Sequence, residues 1–409
     1  MSPRHAYALV ALTLAVACRQ EPIREPIYTG DRRLPSRPDA GTVTPTISVD
    51  AGTLTEAFSK DALTRAIGSC TTGLVTDFVA RAGSLEAAVR SYAAAPDVHT
   101  RGLAQAAWRE AMGVWQELEV FRFGPAGGPE LPGGLSLRDQ VYAWPLVSAC
   151  KIDEQLVERT YAESTFGASL INGRGLGALE RLLFVEDDAN GCSEFSVINA
   201  SGTWDALGTA GRARHRLEYA VVVAALVRAR AGELEVAWRE HAMAFVAGTA
   251  PYDSTQASLN AVSNAMFYVE KEVKDYKLGR PLGLLECASP PCLELVESPW
   301  AHASTTHLAA NLRGFRRLYL GCDASGLGFD DWLVAVGAGE LADRMNSALA
   351  QSVAVVDRLG GPIDALLVGD SAAVSAAYAT VKSLTDPLKT ELVTVLDLEL
   401  PMTVEGDND

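Results

Sequence analysis

Glu180 is the residue whose setting in this sequence first suggests chemistry. The segment 172–184 contains three glycines and then a leucine-rich run in which Glu180 is the single carboxylate. Glycines let the start of a helix approach a neighbouring segment or a ligand closely. A partly buried carboxylate needs a compensating partner, such as a cation or a basic side chain. By itself the pattern predicts only a loop-to-helix junction, whose meaning depends on what the fold places near it.

The histidines form no recognisable catalytic or metal motif. His215 and Glu218 have the spacing that places two residues on one side of a helix. Three arginines within the same stretch, at positions 212, 214 and 216, oppose a bound cation there. His302 and His307 are five residues apart and do not share a helix face well, so we expect structural or surface roles for both. No P-loop, dinucleotide fingerprint, His-Glu-x-x-His site or Gly-x-Ser-x-Gly elbow is present.

The N-terminus predicts export. Arg4 precedes a short apolar stretch, and residues 1–17 are typical of a signal peptide because the stretch is too short to span a membrane. Residues 14–18 are similar to a bacterial lipobox, which makes Cys18 the predicted lipidation site and a membrane the predicted partner of the lipid. The alternative is an ordinary signal peptide cleaved nearby. Residues 18–50 are rich in proline without apolar periodicity, as in a flexible tether.

Six cysteines follow Cys18, and an even number in an exported chain predicts disulfides. Cys287 and Cys292 flank a Ser-Pro-Pro turn and are the best candidate pair, while the pairing of the other four stays open. Their spacings do not match a zinc ribbon or a Cys-x-x-Cys redox motif.

The composition is that of a globular, helical protein. Of 409 residues, 48% are hydrophobic, 21% are charged and only 7% are aromatic, and alanine and leucine are abundant. The formal net charge of −16 and the absence of a basic run argue against a nucleic-acid partner. Apolar periodicity predicts a helix from about residue 54 to Pro96, and further helices over about 99–123, 152–161, 204–230, 233–246, 255–277, 305–320, 338–359, 371–384 and 387–398.

These elements predict an all-α fold of two packed helical bundles. A turn near Gly248 is the candidate boundary, so that residues 51–248 form the N-terminal bundle and residues 249–409 the C-terminal bundle. A helix end is expected at Gly279, with Pro281 just beyond it.

Several separate stretches, taken in their order and spacing, resemble the imelysin family. They are residues 108–125, 142–146, 175–184, 277–283, 297–298, 311–314 and 319–321. The resemblance covers nearly the whole chain from about residue 55. It implies two helical bundles with a cleft between them, in an exported and often lipid-anchored bacterial protein linked to iron uptake. The family also includes a protein described as an insulin-cleaving metalloprotease.

The family signature is Gly-x-His-x-x-Glu, whose histidine and glutamate are the proposed metal ligands. Here Gly175 and Glu180 match the signature, but Gly177 stands in place of the histidine. Glycine has no donor atom, so a principal ligand for zinc or iron is missing. Trp144 and Arg138 belong to the stretches expected near the same cleft.

The role of Glu180 therefore stays open at this point. One hypothesis is a site for iron or another divalent cation, in which Glu180 is joined by Glu117, Glu119 and Asp139. Another is a structural ion pair between Glu180 and an arginine, with three candidates: Arg122, Arg138 and Arg174. A third is a site for another ligand, with no metal cofactor at all.

The leading functional hypothesis is a lipid-anchored protein of the cell envelope, periplasmic or at the outer membrane. It would bind a metal or another ligand, act with iron-uptake components and lack peptidase activity, since the fold is kept while the histidine is lost. The alternatives are a metal-dependent peptidase with non-standard ligands and an envelope module that binds a partner protein.

Overall fold

The computed structural model describes residues 58–322 and 326–401, and these ranges contain helices and no β-strand. The predicted signal peptide, the tether and Cys18 lie outside the described residues. The α-helices are α1 (Lys60–Ala94), α2 (Val98–Leu118), α3 (Leu137–Val141), α4 (Ala149–Glu158), α5 (Gly175–Phe184), α6 (Val197–Ala200), α7 (Thr203–Ala247), α8 (Thr255–Met266), α9 (Arg280–Leu282), α10 (Ser304–Tyr319), α11 (Phe329–Ala335), α12 (Gly339–Asp357), α13 (Ile363–Gly369), α14 (Ser371–Pro387) and α15 (Val393–Val395).

Two segments are π-helical, Val269–Gly279 and Leu388–Leu392, and the first is called the long π-helix below. Short 3₁₀ turns cover Gly124–Ala126, Thr160–Ala162, Phe166–Ala168, Ile171–Gly173 and Leu293–Leu295. Helix α2 begins at a capping box in which Asp97 and Thr100 exchange hydrogen bonds, after the predicted break at Pro96.

Two helical bundles pack together, as the sequence predicts. In the first, α1 packs along α7 and α2, and α5 packs between α7 and α2. In the second, α12 packs on α14 and α10, and α14 packs on the long π-helix. Helix α10 also packs on α2, so one continuous hydrophobic core runs through both bundles. The boundary at residue 248 stays a prediction, because α8 packs on α1 and α7 as well as on α10.

Helix α7 is longer than the sequence predicts. The two helices expected over 204–230 and 233–246 form one element, bent at Gly208, whose φ is 60°. Gly232 lies inside it without ending it, because packing along α1 outweighs the roughly 1 kcal/mol that glycine costs in a helix. The expected turn at Gly248 is present, with that residue in the left-handed region.

The helix expected over 255–277 is divided. Helix α8 ends at Met266, and the chain continues through the long π-helix directly into α9. The predicted helix end at Gly279 is wrong, because Gly279 is in the right-handed region and Pro281 occupies the first turn of α9. The end is at Gly283, whose φ is 82°. Helix α2 likewise ends at Leu118, before the predicted stop near residue 123.

None of the described helices combines the length and the apolar character needed to cross a membrane.

Candidate functional site

Helix α5 carries Glu180, and its first residue fixes how closely the helix approaches α3. Gly175 has a φ of +79°, and a Cβ built on it would lie 2.4 Å from the Val141 carbonyl oxygen. Only glycine fits such a close approach in this conformation. The indole N–H of Trp108 donates to the Leu176 carbonyl oxygen at 2.9 Å, which ties α5 to α2. The conformation of the glycine-rich segment is therefore set by packing.

The Glu180 side chain is buried and accepts hydrogen bonds from backbone groups. The backbone N–H groups of Trp300 and Ala301 donate to its Oε1 at 3.0 and 2.9 Å. Burial raises the pKa of Glu180 to about 7, although these N–H groups and the nearby Ser298 hydroxyl lower it, and the charge of Glu297 raises it further. Glu180 therefore exchanges its proton near neutral pH.

The expected ion pair between Glu180 and an arginine is not formed. Arg122 pairs with Glu272 at 2.9 Å. Arg138 pairs with Glu119 and Asp139, and Arg174 donates to the Ser169 carbonyl and to Gln140. These arginines bind other groups because Glu180 points to the 298–301 loop, whose contribution could not be inferred from spacing.

A cavity of about 290 Å³ lies beside Glu180. Most of its wall is aromatic or aliphatic, and it includes Trp144, Pro145, Val147, Leu295, Val296 and Trp300. The polar groups that line it are Tyr142, Glu180, Arg280, Glu294 and Ser298. An apolar pocket with a few polar groups and one carboxyl of perturbed pKa is the usual form of a small-ligand site.

Gly177, which the sequence resemblance aligns with the histidine of the imelysin signature, lies in the wall of this cavity. A Cβ built on Gly177 would lie 2.6 Å from Cγ2 of Val147 and 3.4 Å from Cε2 of Tyr142. Real Cβ contacts of 2.6 Å do not occur, so any side chain at 177 requires Val147 to move. Val147 thus occupies part of the space that a histidine side chain would need.

Behind the cavity, Lys277 is the centre of a buried polar network, called the Lys277 network below. The Lys277 ammonium lies 2.9 Å from Glu297 Oε2 and donates to Gln116 and Asn311 at 2.8 Å each. The Tyr142 hydroxyl donates to Glu297 Oε1 at 2.9 Å. These side chains are all buried, so their polar contacts are made with one another and not with solvent.

Glu297 is the acid of the Lys277 network. Burial alone would raise its pKa, but the adjacent Lys277 and His307 outweigh burial and lower the pKa to about 2. His307 Nδ1 lies 3.3 Å from Glu297 Oε2. Two buried glutamates in one region therefore have opposite behaviour, since Glu297 is ionised at all ordinary pH values and Glu180 titrates near neutrality.

Glu119 and Arg138 lie at the edge of this network and not in the cavity wall. Arg138 Nη2 is 3.1 Å from Glu119 Oε1, and the Tyr268 hydroxyl donates to Glu119 Oε2 at 2.6 Å. Lys277 is 3.9 Å from the same carboxylate. Arg138 also donates to the Trp144 carbonyl, so it supports the cavity wall from behind.

The structure does not bring the four predicted metal-ligand carboxylates together. Glu117 pairs with Arg313 and Arg317 at 2.8 Å each, on the contact between α2 and α10. Asp139 pairs with Arg138 and is half exposed. Glu119 is held in its own ion pair. Of the predicted set, Glu180 alone lines the cavity.

Within the described residues, one group of three potential metal ligands lies close together: Cys150, Glu154 and Cys192, whose two cysteines form a disulfide. Around Glu180 a bare divalent cation would find hydroxyl groups and no imidazole, because Gly177 offers no donor and Val147 fills the adjoining space. The second carboxylate of the cavity lining, Glu294, is exposed to solvent. As they stand, the described residues do not fit such a cation, and a metal-ligand role for Glu180 stays a prediction.

A larger cavity, of about 530 Å³, runs along the long π-helix. Its buried carboxylates have basic partners: Glu272 pairs with Arg122, and Asp275 lies 3.3 Å from Lys271. Glu180 has no ion-pair partner among the residues of the described ranges. The smaller cavity is therefore the better candidate site.

The other histidines have the structural roles expected of them. His215 Nδ1 is 3.0 Å from the Leu156 carbonyl oxygen, while Glu218 binds Arg159 and Tyr161. His302 lies 3.0 Å from Asp364 at the surface. His307 is buried against Glu297, and its closeness to the site was not predicted.

The Lys277 network was missed as a unit, although one signal for it exists in the sequence. Asn311 lies on the apolar face of α10, between Leu308 and Phe315 at helical spacing. Gln116 lies likewise four residues after Met112 on α2. A polar residue on a buried helix face needs a buried partner, which is a reason to look for a network.

Three disulfides join the remaining cysteines. They are Cys70–Cys322, Cys150–Cys192 and Cys287–Cys292. The last is the predicted pair. The first links α1 to the chain just after α10, and the second links α4, next to the cavity wall, to the segment before α6.

Comparison with known proteins places this fold. In the solved structures, the chain is similar to a putative iron-regulated protein A precursor from Parabacteroides distasonis, with a TM-score of 0.64 and 17% identity over 84% of this chain and 96% of that one. It is also similar to an imelysin-like protein from Psychrobacter arcticum, with a TM-score of 0.62 and 17% identity over 84% of this chain and 98% of that one. No curated protein matches the sequence. The Imelysin family model matches residues 74–390, which is most of the chain, and the chain therefore belongs to the imelysin family.

Proposed function

We propose that this chain is a ligand-binding component of the bacterial cell envelope that serves iron uptake and has no peptidase activity. Its ligand occupies the cavity beside Glu180, and a lipid on Cys18 holds it to a membrane, periplasmic or outer, near iron-uptake components. Family membership and the cavity support the binding role. One structural neighbour is described as an iron-regulated protein A precursor, which supports the link with iron.

A single observation carries the proposal: the imelysin fold is kept while the place of its histidine is closed. Gly177 supplies no donor, and Val147 lies where a side chain at 177 would go. A metallopeptidase needs several protein ligands around a metal and a position open to water. One oxygen of Glu180 accepts hydrogen bonds from two backbone N–H groups. We infer that this carboxylate binds a ligand group and does not complete a set of metal ligands.

The binding role is tested in the producing bacterium. Deleting the gene is expected to slow growth when a chelator limits iron and to leave growth unchanged when iron is plentiful. The unaltered gene should restore growth, whereas Glu180→Gln and Cys18→Ser should not. Glu117→Gln is the matched control, because Glu117 is a carboxylate at the contact between α2 and α10 and does not line the cavity. Equal growth of the deletion and parent strains at every iron level would refute the proposal.

The absence of peptidase activity is tested with the purified full-length chain. We expect no chelator-sensitive cleavage of an unfolded protein substrate when zinc, iron or manganese is added. Cleavage that a chelator abolishes and that Glu180→Gln lacks would establish the peptidase alternative instead.

A further inference from the structure

We propose that the cavity beside Glu180 binds a free, small organic cation: a protonated amine on a compact apolar body. This inference rests on the proposed function, since it names the class of ligand for the same cavity. It follows from the charges around Glu180, the poorly bonded Ser298 hydroxyl beside it and the nature of the cavity wall.

Glu180 differs from the other buried carboxylates near it in having no basic partner among the described residues. Glu297 lies 2.9 Å from Lys277, Glu119 lies 3.1 Å from Arg138, and Asp153 is paired with Arg181. Glu180, which is only 2% exposed, accepts hydrogen bonds from two backbone N–H groups at one oxygen and has no ion pair among the described residues. A buried carboxylate without a cation requires either a proton or a positive ligand.

The hydroxyl group of Ser298 lies beside the Glu180 carboxylate. Ser298 is 2% exposed and lines the cavity, and its Oγ makes no hydrogen bond of good geometry within the described part of the chain. Its hydroxyl makes a hydrogen-bonding contact of poor geometry with the Glu180 carboxylate, which lowers the pKa of that carboxyl. Buried polar atoms are normally paired. An ammonium group has three donors and satisfies the Glu180 carboxylate and the Ser298 hydroxyl oxygen together.

The charged residues that line the cavity are one arginine and two glutamates. Of the charged residues that line it, Arg280 is paired with Glu286, whereas Glu180 and Glu294 have no such partner in the described ranges. Arg109, on α2, donates to the Ala301 carbonyl and attracts Glu180 only at longer range. Glu294 is exposed to solvent, which screens its charge, so buried Glu180 is the charge that a ligand meets and the cavity favours a single positive charge.

Most of the cavity wall is apolar. Two indoles, those of Trp144 and Trp300, line the cavity, and Lys277 and Arg181 lie 5.5 and 5.2 Å from their respective ring centres. Both basic groups are neutralised by the carboxylates named above, so they do not cancel the site's negative charge. Tryptophan faces attract organic cations, and a volume of about 290 Å³ restricts the body to a small one. A bare metal ion uses none of this apolar surface.

The experiment uses the purified full-length chain and pairs of probes that differ in charge. Benzylammonium and butylammonium are titrated by calorimetry at pH 8, alongside benzyl alcohol and butanol as neutral counterparts. We expect the ammonium probes to bind with millimolar or tighter affinity and the alcohols to bind about tenfold more weakly or worse, because they lack the charged hydrogen bond to Glu180.

Two variants and one change of pH sharpen the test. Glu180→Gln should weaken ammonium binding about tenfold or more, and Ser298→Ala should weaken it a few-fold while keeping the carboxylate. Binding should strengthen up to about tenfold from pH 6 to pH 8, as the Glu180 carboxyl ionises with a pKa of about 7. Circular dichroism melting curves check that both variants remain folded.

Equal binding of alcohols and ammonium probes, unchanged ammonium binding by Glu180→Gln, or no ammonium binding at all would overturn the inference. In the last case the proposed function is judged separately, by growth under iron limitation. If Glu180→Gln still fails to restore growth, the binding role stands and only the class of ligand is wrong. If it restores growth fully, the binding role fails too.

Discussion

At the scale of single residues, the site depends on two buried glutamates with opposite titration. The environment of Glu180 favours its neutral form, while Lys277 and His307 hold Glu297 in its charged form. Such a division between neighbouring acids marks functional sites more often than structural ones. Each glutamate makes a separate prediction about stability.

Glu180 should make the folded state less stable as pH rises. Its folded pKa is about 7 and its ordinary value 4.5, so the folded state retains a proton that the unfolded chain releases. The free energy of unfolding should therefore fall between pH 4.5 and 7, by on the order of 3 kcal/mol relative to Glu180→Gln. Urea unfolding of both proteins at pH 5 and pH 8 measures this difference, and a difference that does not change with pH would contradict the shift.

Glu297 should contribute with the opposite sign and at lower pH. Its folded pKa of about 2 lies below the ordinary value of 4.5, so its contribution is complete above pH 4.5 and is lost as pH falls toward 2. At pH 7, Glu297→Gln leaves Lys277 buried without its closest counter-charge and should lower the free energy of unfolding by about 3–5 kcal/mol.

Glu117→Gln is the control for Glu297→Gln. Glu117 pairs with Arg313 and Arg317, whose side chains are 49% and 36% exposed, so its loss should cost less than about 1 kcal/mol. Similar costs for the two variants in urea unfolding would show that the Lys277 network does not stabilise the fold as described.

At the scale of elements, the wall of the cavity depends on the contact between α5 and residue 147. Gly177→Ala should destabilise the protein by about 1–3 kcal/mol, because the new Cβ meets Val147 at 2.6 Å. In a Val147→Ala background the same change should be neutral or stabilising. A double-mutant cycle of unfolding free energies measures this coupling, and additive effects would show that Val147 moves aside freely.

Gly232→Ala in α7 is the matched control for that cycle. A Cβ at Gly232 has nothing within 4 Å, and the residue is inside a helix. It should stabilise the protein by about 1 kcal/mol, through helix propensity alone.

Much of the element scale could be predicted from the sequence. The helices around Leu63, Trp108 and Leu312 follow apolar residues at helical spacing, and the Glu180 helix was located from its glycines and leucines. The long π-helix could not be distinguished, because its apolar pattern is that of an ordinary helix. The sequence predicts two helices where α7 is one, because Gly232 is a stop signal for a helix but only a weak one.

The site itself was less predictable, for a physical reason. Glu180 was identified, but its hydrogen-bond donors are backbone groups of residues 300 and 301, and backbone groups leave no trace in side-chain patterns. The partners of Glu297 come from α2, the residue after α3, the long π-helix and α10, and only the tertiary fold brings them together. The space lost to Val147 likewise depends on packing.

At the scale of the whole molecule, a disulfide links the two bundles. Cys70 lies on α1 and Cys322 follows α10, and their sequence separation is 252. Replacing both by alanine should lower the free energy of unfolding by up to about 5 kcal/mol, since the longest loop is released. Removing Cys287 and Cys292, only five residues apart, should cost about 2 kcal/mol. Urea unfolding compares the two, and equal costs would contradict the loop-closure account.

We propose that this imelysin fold presents a ligand cavity where a metal centre would be expected. Calorimetric titration of the purified full-length chain with Zn²⁺, and with Fe²⁺ under anaerobic conditions, tests this proposal. We predict no stoichiometric binding of either ion in the micromolar range, because the cavity lining has no imidazole and its second carboxylate, Glu294, is exposed to solvent. One ion bound per chain with micromolar or tighter affinity, and lost in Glu180→Gln, would contradict it.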